Sequence, residues 1–352
     1  MKRAKNDFPL VVHAGFAQIS SIKRGGGFST MSLRASVSTS RKRPARLAAL
    51  LACALALCSP EGVSAQPAPA SAMPNPDAPP CARAQPNPDA DADLWGAQAE
   101  LIGNCVALLP EAAMDRPNVY AVAIAPLGTQ TLFSREAKTA LQKLAANYGG
   151  TAKGGILLSN GAADLMRVPL ATQGNVAQVL GEIGRRTQAG RDDILIVYLT
   201  SHGGPDAVLQ SALPGNLPIL AISADSLAAA LDQARVRRRV VIISACFAGS
   251  WIPALAGDDT IVITAAAADR TSFGCADDRP LTYFGEAFLN GPFSRGASLA
   301  ESFEGARKTV AQWEEEQKLP FSRPQASVGR NMQAFWLAAP RSPVPVKVAK
   351  RR

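Results

Sequence analysis

Beyond residue 117 the apolar residues fall into two rhythms that alternate along the chain. Five short runs are nearly unbroken and rich in β-branched residues: VYAVAIA (Val119–Ala125), GILLS (Gly155–Ser159), DILIVYLT (Asp193–Thr200), Val240–Ile243 and TIVIT (Thr260–Thr264). Runs of this kind predict strands buried on both faces. Between them the apolar spacing opens to three and four residues, which predicts helices with one buried face. One lies near Ser134–Ala146 with Leu141 and Leu144, and one around Asn175–Arg186 with Val176, Val179, Leu180 and Ile183. Ser223 is placed to cap a third, running through Gln233, and Ser298-x-x-Glu301 forms a capping box before Leu299, Phe303, Ala306, Val310 and Trp313. Two short segments, Ala207–Ala212 and Leu217–Ile222, suggest a hairpin around Pro214-Gly215. Strands alternating with such helices predict an α/β fold. It is a three-layer sandwich whose mostly parallel sheet carries helices on both faces.

Composition changes the picture mainly at the ends. The chain has 352 residues, 47% of them hydrophobic, and a formal charge of +9. That charge is local: residues 1–65 hold ten Lys and Arg against only Asp7 and Glu61, and the rest is close to neutral. The basic balance therefore gives no support for nucleic-acid binding. Arg41, Lys42, Arg43 and Arg46 precede the apolar stretch Leu47–Leu57, and Val63-Ser64-Ala65 follows. This is the layout of a secretory signal peptide ending near Ala65, and eleven apolar residues are too few to span a bilayer. The expected location is periplasmic or secreted, with no integral span in the mature chain. The leader sits late, so Met31 competes with Met1 as the start. Lipidation at Cys58 is disfavoured by the bulky Leu57 before it. Residues 66–94 contain PNPDA twice amid Ala and Pro, which predicts a disordered linker. A single folded domain then covers 95–340, and 341–352 is a basic tail. Processing leaves Cys81, Cys105, Cys246 and Cys275, with no CxxC pair. Cys81 with Cys105 is a possible bridge in an oxidising compartment.

The candidate chemistry lies where α/β folds place it, beyond the carboxyl ends of strands. Ser201-His202-Gly203-Gly204 directly follows one strand, and Ser244-Ala245-Cys246-Phe247-Ala248-Gly249 follows another. His13 falls in the leader, so His202 is the only histidine of the mature chain. A thiol needs a neighbouring base or positive charge to act as a thiolate, and His202 is positioned to serve. The backbone N–H groups of Gly203 and Cys246 are candidates for an oxyanion hole, and small residues around the thiol leave room for a peptide. No metal-ligand pattern or cofactor motif accompanies them. The expected partner is a peptide or protein substrate.

These motifs resemble the caspase-like cysteine peptidases, and within them the legumain family, peptidase family C13, including its bacterial members. The resemblance spans about residues 117–335. It rests on TSHGG (Thr200–Gly204), ISACFAGS (Ile243–Ser250), ITAAAADRTSFGC (Ile263–Cys275) and LTYFGEAF (Leu281–Phe288). It implies a caspase-like fold, a His202/Cys246 dyad and cleavage through an acyl-enzyme. It further implies a substrate pocket formed by Arg135 and Glu286, with Ser272 in another wall. Ser244 stands where the family carries a second acidic residue, so asparagine is expected before the cut with some aspartate tolerated. Family members with a long C-terminal inhibitory domain differ from this chain, which ends soon after Trp336. Peptide ligation by the same acyl-enzyme, a non-catalytic peptide-binding relative and a thiol-redox protein are the alternatives. An intact His/Cys pair and the lack of CxxC weigh against the last two.

Overall fold

The apolar runs and the amphipathic segments between them set the elements. A computed structural model of the chain describes residues 81–82, 93–187 and 192–340. The expected leader, most of the expected linker and the basic tail lie outside the described residues. In chain order the elements are α1 (Gln98–Ala107), β1 (Val119–Ala125), α2 (Thr131–Tyr148), β2 (Ile156–Ser159), α3 (Gln173–Arg186), β3 (Ile194–Thr200), β4 (Ala212–Leu213), β5 (Leu217–Pro218), α4 (Ala224–Ala234), β6 (Arg238–Ser244), α5 (Ile252–Leu255), β7 (Thr260–Thr264), α6 (Tyr283–Leu289), α7 (Leu299–Glu316), β8 (Gln325–Val328) and α8 (Gln333–Leu337).

The main sheet has the order β2-β1-β3-β6-β7-β8. Its strands run parallel except β8, which pairs antiparallel with β7 at the edge. Successive residues of each central strand feed opposite layers, as the pleat requires. Ala121, Ala123, Ile196, Tyr198 and Ile242 join Phe133, Phe284 and Phe303 from the α2, α6 and α7 side. Tyr120, Val122, Leu195, Val197 and Val241 join Ile102, Val179 and Leu227 from the α1, α3 and α4 side. The result is the expected α/β three-layer sandwich. Fully burying a side chain of this size is worth roughly 1.5–3 kcal/mol, so both layers are needed to hold the sheet.

Caps fix where the helices begin. Ser223 accepts from Ser226 N–H at the start of α4, and the Ser298/Glu301 box closes α7. The hairpin is shorter than the sequence suggests: only Ala212–Leu213 and Leu217–Pro218 pair, because residues 207–209 bridge instead to Gly203 and Ser223. Cys81 is disulfide-bonded to Cys105 on α1, so this point of the expected linker is tied to the domain. No helix among the described residues is long and apolar enough to cross a membrane.

Candidate active site

The sheet order reverses beside β1, with β2 on one side and β3 on the other, so the crevice for a ligand opens at their carboxyl ends. Three connections meet there: the one after β1 carrying Gln130, the one after β3 carrying His202, and the one after β6 carrying Cys246. Thr200 and Ser244 are register partners, so His202 and Cys246 each lie two residues past paired positions on adjacent strands. The two connections touch closely. A Cβ on Gly203 would lie 2.5 Å from the Cys246 carbonyl oxygen, so only glycine lets the backbones approach this far. Immediately after Cys246 the chain turns sharply, with Phe247 at φ 55°. A left-handed non-glycine residue costs roughly 1–3 kcal/mol and is typical of a site that must present one side chain.

Gln130 orients the imidazole. Its side chain does not cap α2. That task falls to Asp277, whose carboxylate accepts from Leu132 N–H at 2.9 Å and from Thr131 Oγ1 at 3.3 Å, where the helix dipole favours an anion. The freed Gln130 amide donates through Nε2 to the Cys275 carbonyl at 3.1 Å and accepts through Oε1 from His202 Nε2 at 2.6 Å. Since the NH₂ end is committed to a carbonyl, the oxygen must face the ring. His202 therefore carries its proton on Nε2, and Nδ1 is the nitrogen left to accept one. The edge of the His202 ring meets Phe133 with centroids 5.1 Å apart. Burial lowers the His202 pKa below its ordinary 6.5, so the ring is neutral at pH 7.

The thiol is bracketed by the next connection. Cys246 Sγ accepts from Ser272 N–H at 3.3 Å, and as a thiol it can donate to the Ser272 carbonyl at 3.5 Å. Cys275 lies close enough for its thiol to act on Cys246. The neighbouring Cys275 thiol is the first cause lowering the Cys246 pKa to about 6; burial opposes it, and the N–H groups of Ser272 and Cys246 itself assist. Cys275 is pushed up by the same interaction, by burial, and by the negative charges of Cys246 and Glu136, so it keeps its proton. A neutral His202 is not what holds the thiolate. The backbone N–H of Gly203 donates to no acceptor among the described residues and remains available.

The remaining sequence-picked residues divide into two groups. The geometry gathers His202, Gly203, Cys246 and Ser272, the last through its backbone. Ser244 is buried, its hydroxyl 3.0 Å from Thr282 Oγ1. Arg135 donates through Nε to the Pro280 carbonyl and through Nη2 to those of Asp277 and Arg279, holding the 277–280 loop. Glu286 sits 3.5 Å from the Arg279 guanidinium, which lies over the Tyr283 ring. Sequence reasoning missed Gln130, Arg279 and Glu136. The last is fully buried and accepts from Tyr198 O–H at 2.9 Å and Thr282 N–H at 2.8 Å, fixing α2, β3 and the start of α6 beneath Ser244. Only Arg279 had a sequence signal, its place just before the LTYFGEAF block.

The model of the peptidase C13 family matches residues 166–334. Over that stretch the chain is similar to the C13 peptidases, which supports a legumain-like cysteine peptidase. The matched stretch holds His202, Gly203, Cys246, Ser272 and Glu286 and begins after Gln130 and Arg135, so the C13 match leaves the imidazole's partner outside. No curated protein matches the chain. Among solved structures, caspase-1 from Spodoptera frugiperda is similar at 12% identity and a TM-score of 0.42, covering 62% of this chain and 90% of that one. A structure of pro-sf-caspase-1 is similar at 12% identity and a TM-score of 0.40, covering 62% and 94%.

Proposed function

We propose that this cysteine peptidase of legumain type is an exported, active endopeptidase that cleaves peptide bonds through an acyl-enzyme on Cys246. The observation that carries the reading is His202, held by Gln130, and Cys246, held by the Ser272 backbone, at the ends of adjacent strands with Gly203 packed against Cys246. The Cys246 thiolate attacks the scissile carbonyl carbon, and the carbonyl electron pair moves to oxygen. The Gly203 N–H, aimed by the tight contact of the two connections, stabilises that oxyanion, with the Cys246 N–H beside it. Collapse expels the amine, which takes its proton from His202, the reactive form being the one in which the proton given up by Cys246 sits on the imidazole. Neutral His202 then takes a proton from water at Nδ1 as the water attacks the thioester, and the thiolate departs. Because burial disfavours the imidazolium, His202 is a strong proton donor once charged.

For the residue before the cut, asparagine is the side chain we propose. An amide needs one donor and one acceptor, and the half-exposed Arg279/Glu286 pair supplies both, while Arg135 holds the loop that carries Arg279. Ser244 brings no second carboxylate, so aspartate is excluded less strongly. Export is supported by the basic–apolar–small leader and by the Cys81–Cys105 bridge, which suits an oxidising compartment. The test is a quenched-peptide library incubated with purified protein, products being sequenced. Hydrolysis after Asn, absent in Cys246→Ala, supports the reading. No cleavage of any peptide refutes it, and transfer to an added amine in preference to water would make the protein a ligase.

A further inference from the structure

Cys275 is not consumed by the mechanism, yet its position is heavily determined. Gln130 holds its carbonyl, and Arg135 and Asp277 fasten the residues after it to α2. Before it, Gly274 takes φ +79° and a Cβ there would strike Tyr283 at 2.4 Å. Only glycine makes that left-handed turn without strain, and the turn follows the Ser272 backbone that brackets the Cys246 sulfur and leads directly into Cys275. The other two described cysteines are already bonded to each other, whereas Cys246 and Cys275 are free, half-buried and close enough for each thiol to act on the other.

We propose that Cys246 and Cys275 form a reversible disulfide that blocks the nucleophile, with a low-molecular-weight disulfide such as oxidised glutathione as the oxidant. The inference rests on the reading of Cys246 as the nucleophile. The Cys246 thiolate attacks one sulfur of the oxidant, forming a mixed disulfide and releasing one glutathione thiolate. Cys275 then attacks the Cys246 sulfur, the Cys246–Cys275 bond forms, and the second glutathione leaves with the Cys275 proton. Two protein thiols are oxidised and one glutathione disulfide is reduced to two thiols. The first step is favoured by the thiolate character of Cys246, and the second by contact, since the sulfurs need only close to a bond length of about 2.05 Å. With Cys275 engaged, the thiol proton that now holds Cys246 as thiolate is gone as well. Thiol reductants reverse both changes.

The test is treatment of the purified protein with oxidised glutathione, followed by non-reducing peptide mapping. The expected result is a Cys246–Cys275 cross-linked peptide beside the Cys81–Cys105 one, a chain two hydrogens lighter, and at least tenfold loss of peptide cleavage recovered with dithiothreitol. In Cys275→Ser and Cys275→Ala, each compared with its own starting activity, the product should instead be a stable Cys246–glutathione adduct. A wild-type protein that stops at the Cys246–glutathione adduct with Cys275 free, or that is not oxidised at all, overturns the proposal. The mapping needs no turnover, so the two readings separate. A cross-link in a protein that cleaves no peptide upholds the thiol pair and sinks the peptidase; cleavage without a cross-link does the reverse.

Discussion

Replacing Gln130 with alanine removes two hydrogen bonds that meet at the imidazole, the 2.6 Å bond from His202 Nε2 and the 3.1 Å bond to the Cys275 carbonyl. Each is worth about 0.5–1.5 kcal/mol net, so together about 1–3 kcal/mol of orientation is lost. If that orientation is fully expressed in the transition state, kcat/KM falls about 5- to 150-fold. The loss must stay below that of His202→Ala, because general acid–base catalysis as a whole contributes about 10²–10⁴-fold. It should fall on kcat with KM little changed, since Gln130 is placed to touch the catalytic base and not the substrate. Gln130→Glu is the control that separates orientation from bulk: its carboxylate can still accept from Nε2, and its charge should raise the His202 pKa. The sequence has only two histidines, His13 and His202, so the His202 titration is readable by NMR in untagged protein. The assay is steady-state hydrolysis of one peptide by the three variants. A Gln130→Ala enzyme within twofold of wild type, beside a crippled His202→Ala, would refute the role given to this amide.

The two shifted groups predict opposite pH behaviour for two reactions of the same thiol. Alkylation of Cys246 by iodoacetamide needs only thiolate, so its rate should rise through about pH 6 and stay high, whereas an unperturbed thiol would still be climbing at pH 9. Peptide hydrolysis also needs a proton on the His202/Cys246 pair for the leaving amine; with both pKa values lowered, that proton is lost at lower pH than from an unperturbed pair and hydrolysis should decline toward neutral pH. Parallel profiles would contradict the assignment. Cys105→Ser opens the bridge to Cys81, whose loop spans 24 residues, and should lower stability by about 2–4 kcal/mol in urea unfolding, with no change in alkylation of Cys246. Arg135→Ala should slow cleavage of all peptides in proportion, as a loop anchor would, while Glu286→Ala should erode Asn selectivity first; a selective loss in Arg135→Ala would return that residue to the pocket.

The central strands were legible because parallel strands buried on both faces need continuous apolar runs, and VYAVAIA or DILIVYLT leaves little choice. Strand β8 was not: its QASV segment is an edge strand, exposed or half-exposed along its length, so nothing in its composition demands pairing. Helix α6 is seven residues long and buried on nearly all sides, which hides the three-to-four rhythm. At the site, His202 and Cys246 stood out because strand ends concentrate chemistry. Gln130 did not, since an uncharged amide in a loop acquires its role only from partners 72 and 145 residues away. Arg135 was visible as a charge, but its attachment to three carbonyls depends on how the 277–280 loop folds back over α2. Glu136 looks like any helix glutamate until Tyr198 and Thr282 close over it. Cys275 was countable from the start, yet its contact with Cys246 requires the turn at Gly274.

The central claim, that Cys246 is a nucleophile served by His202, is tested most directly by a peptidyl acyloxymethyl ketone that alkylates only an activated thiol near its binding cleft. After labelling, the modified residue is located by peptide mapping in wild type, His202→Ala and Cys246→Ala. The account predicts a single adduct on Cys246 in wild type, an adduct that still forms in His202→Ala while peptide hydrolysis there falls at least tenfold, and neither adduct nor hydrolysis in Cys246→Ala, which should stay folded because only one sulfur atom is removed. An adduct on Cys275 in place of Cys246, or peptide cleavage that persists near the wild-type rate in Cys246→Ala, would contradict it.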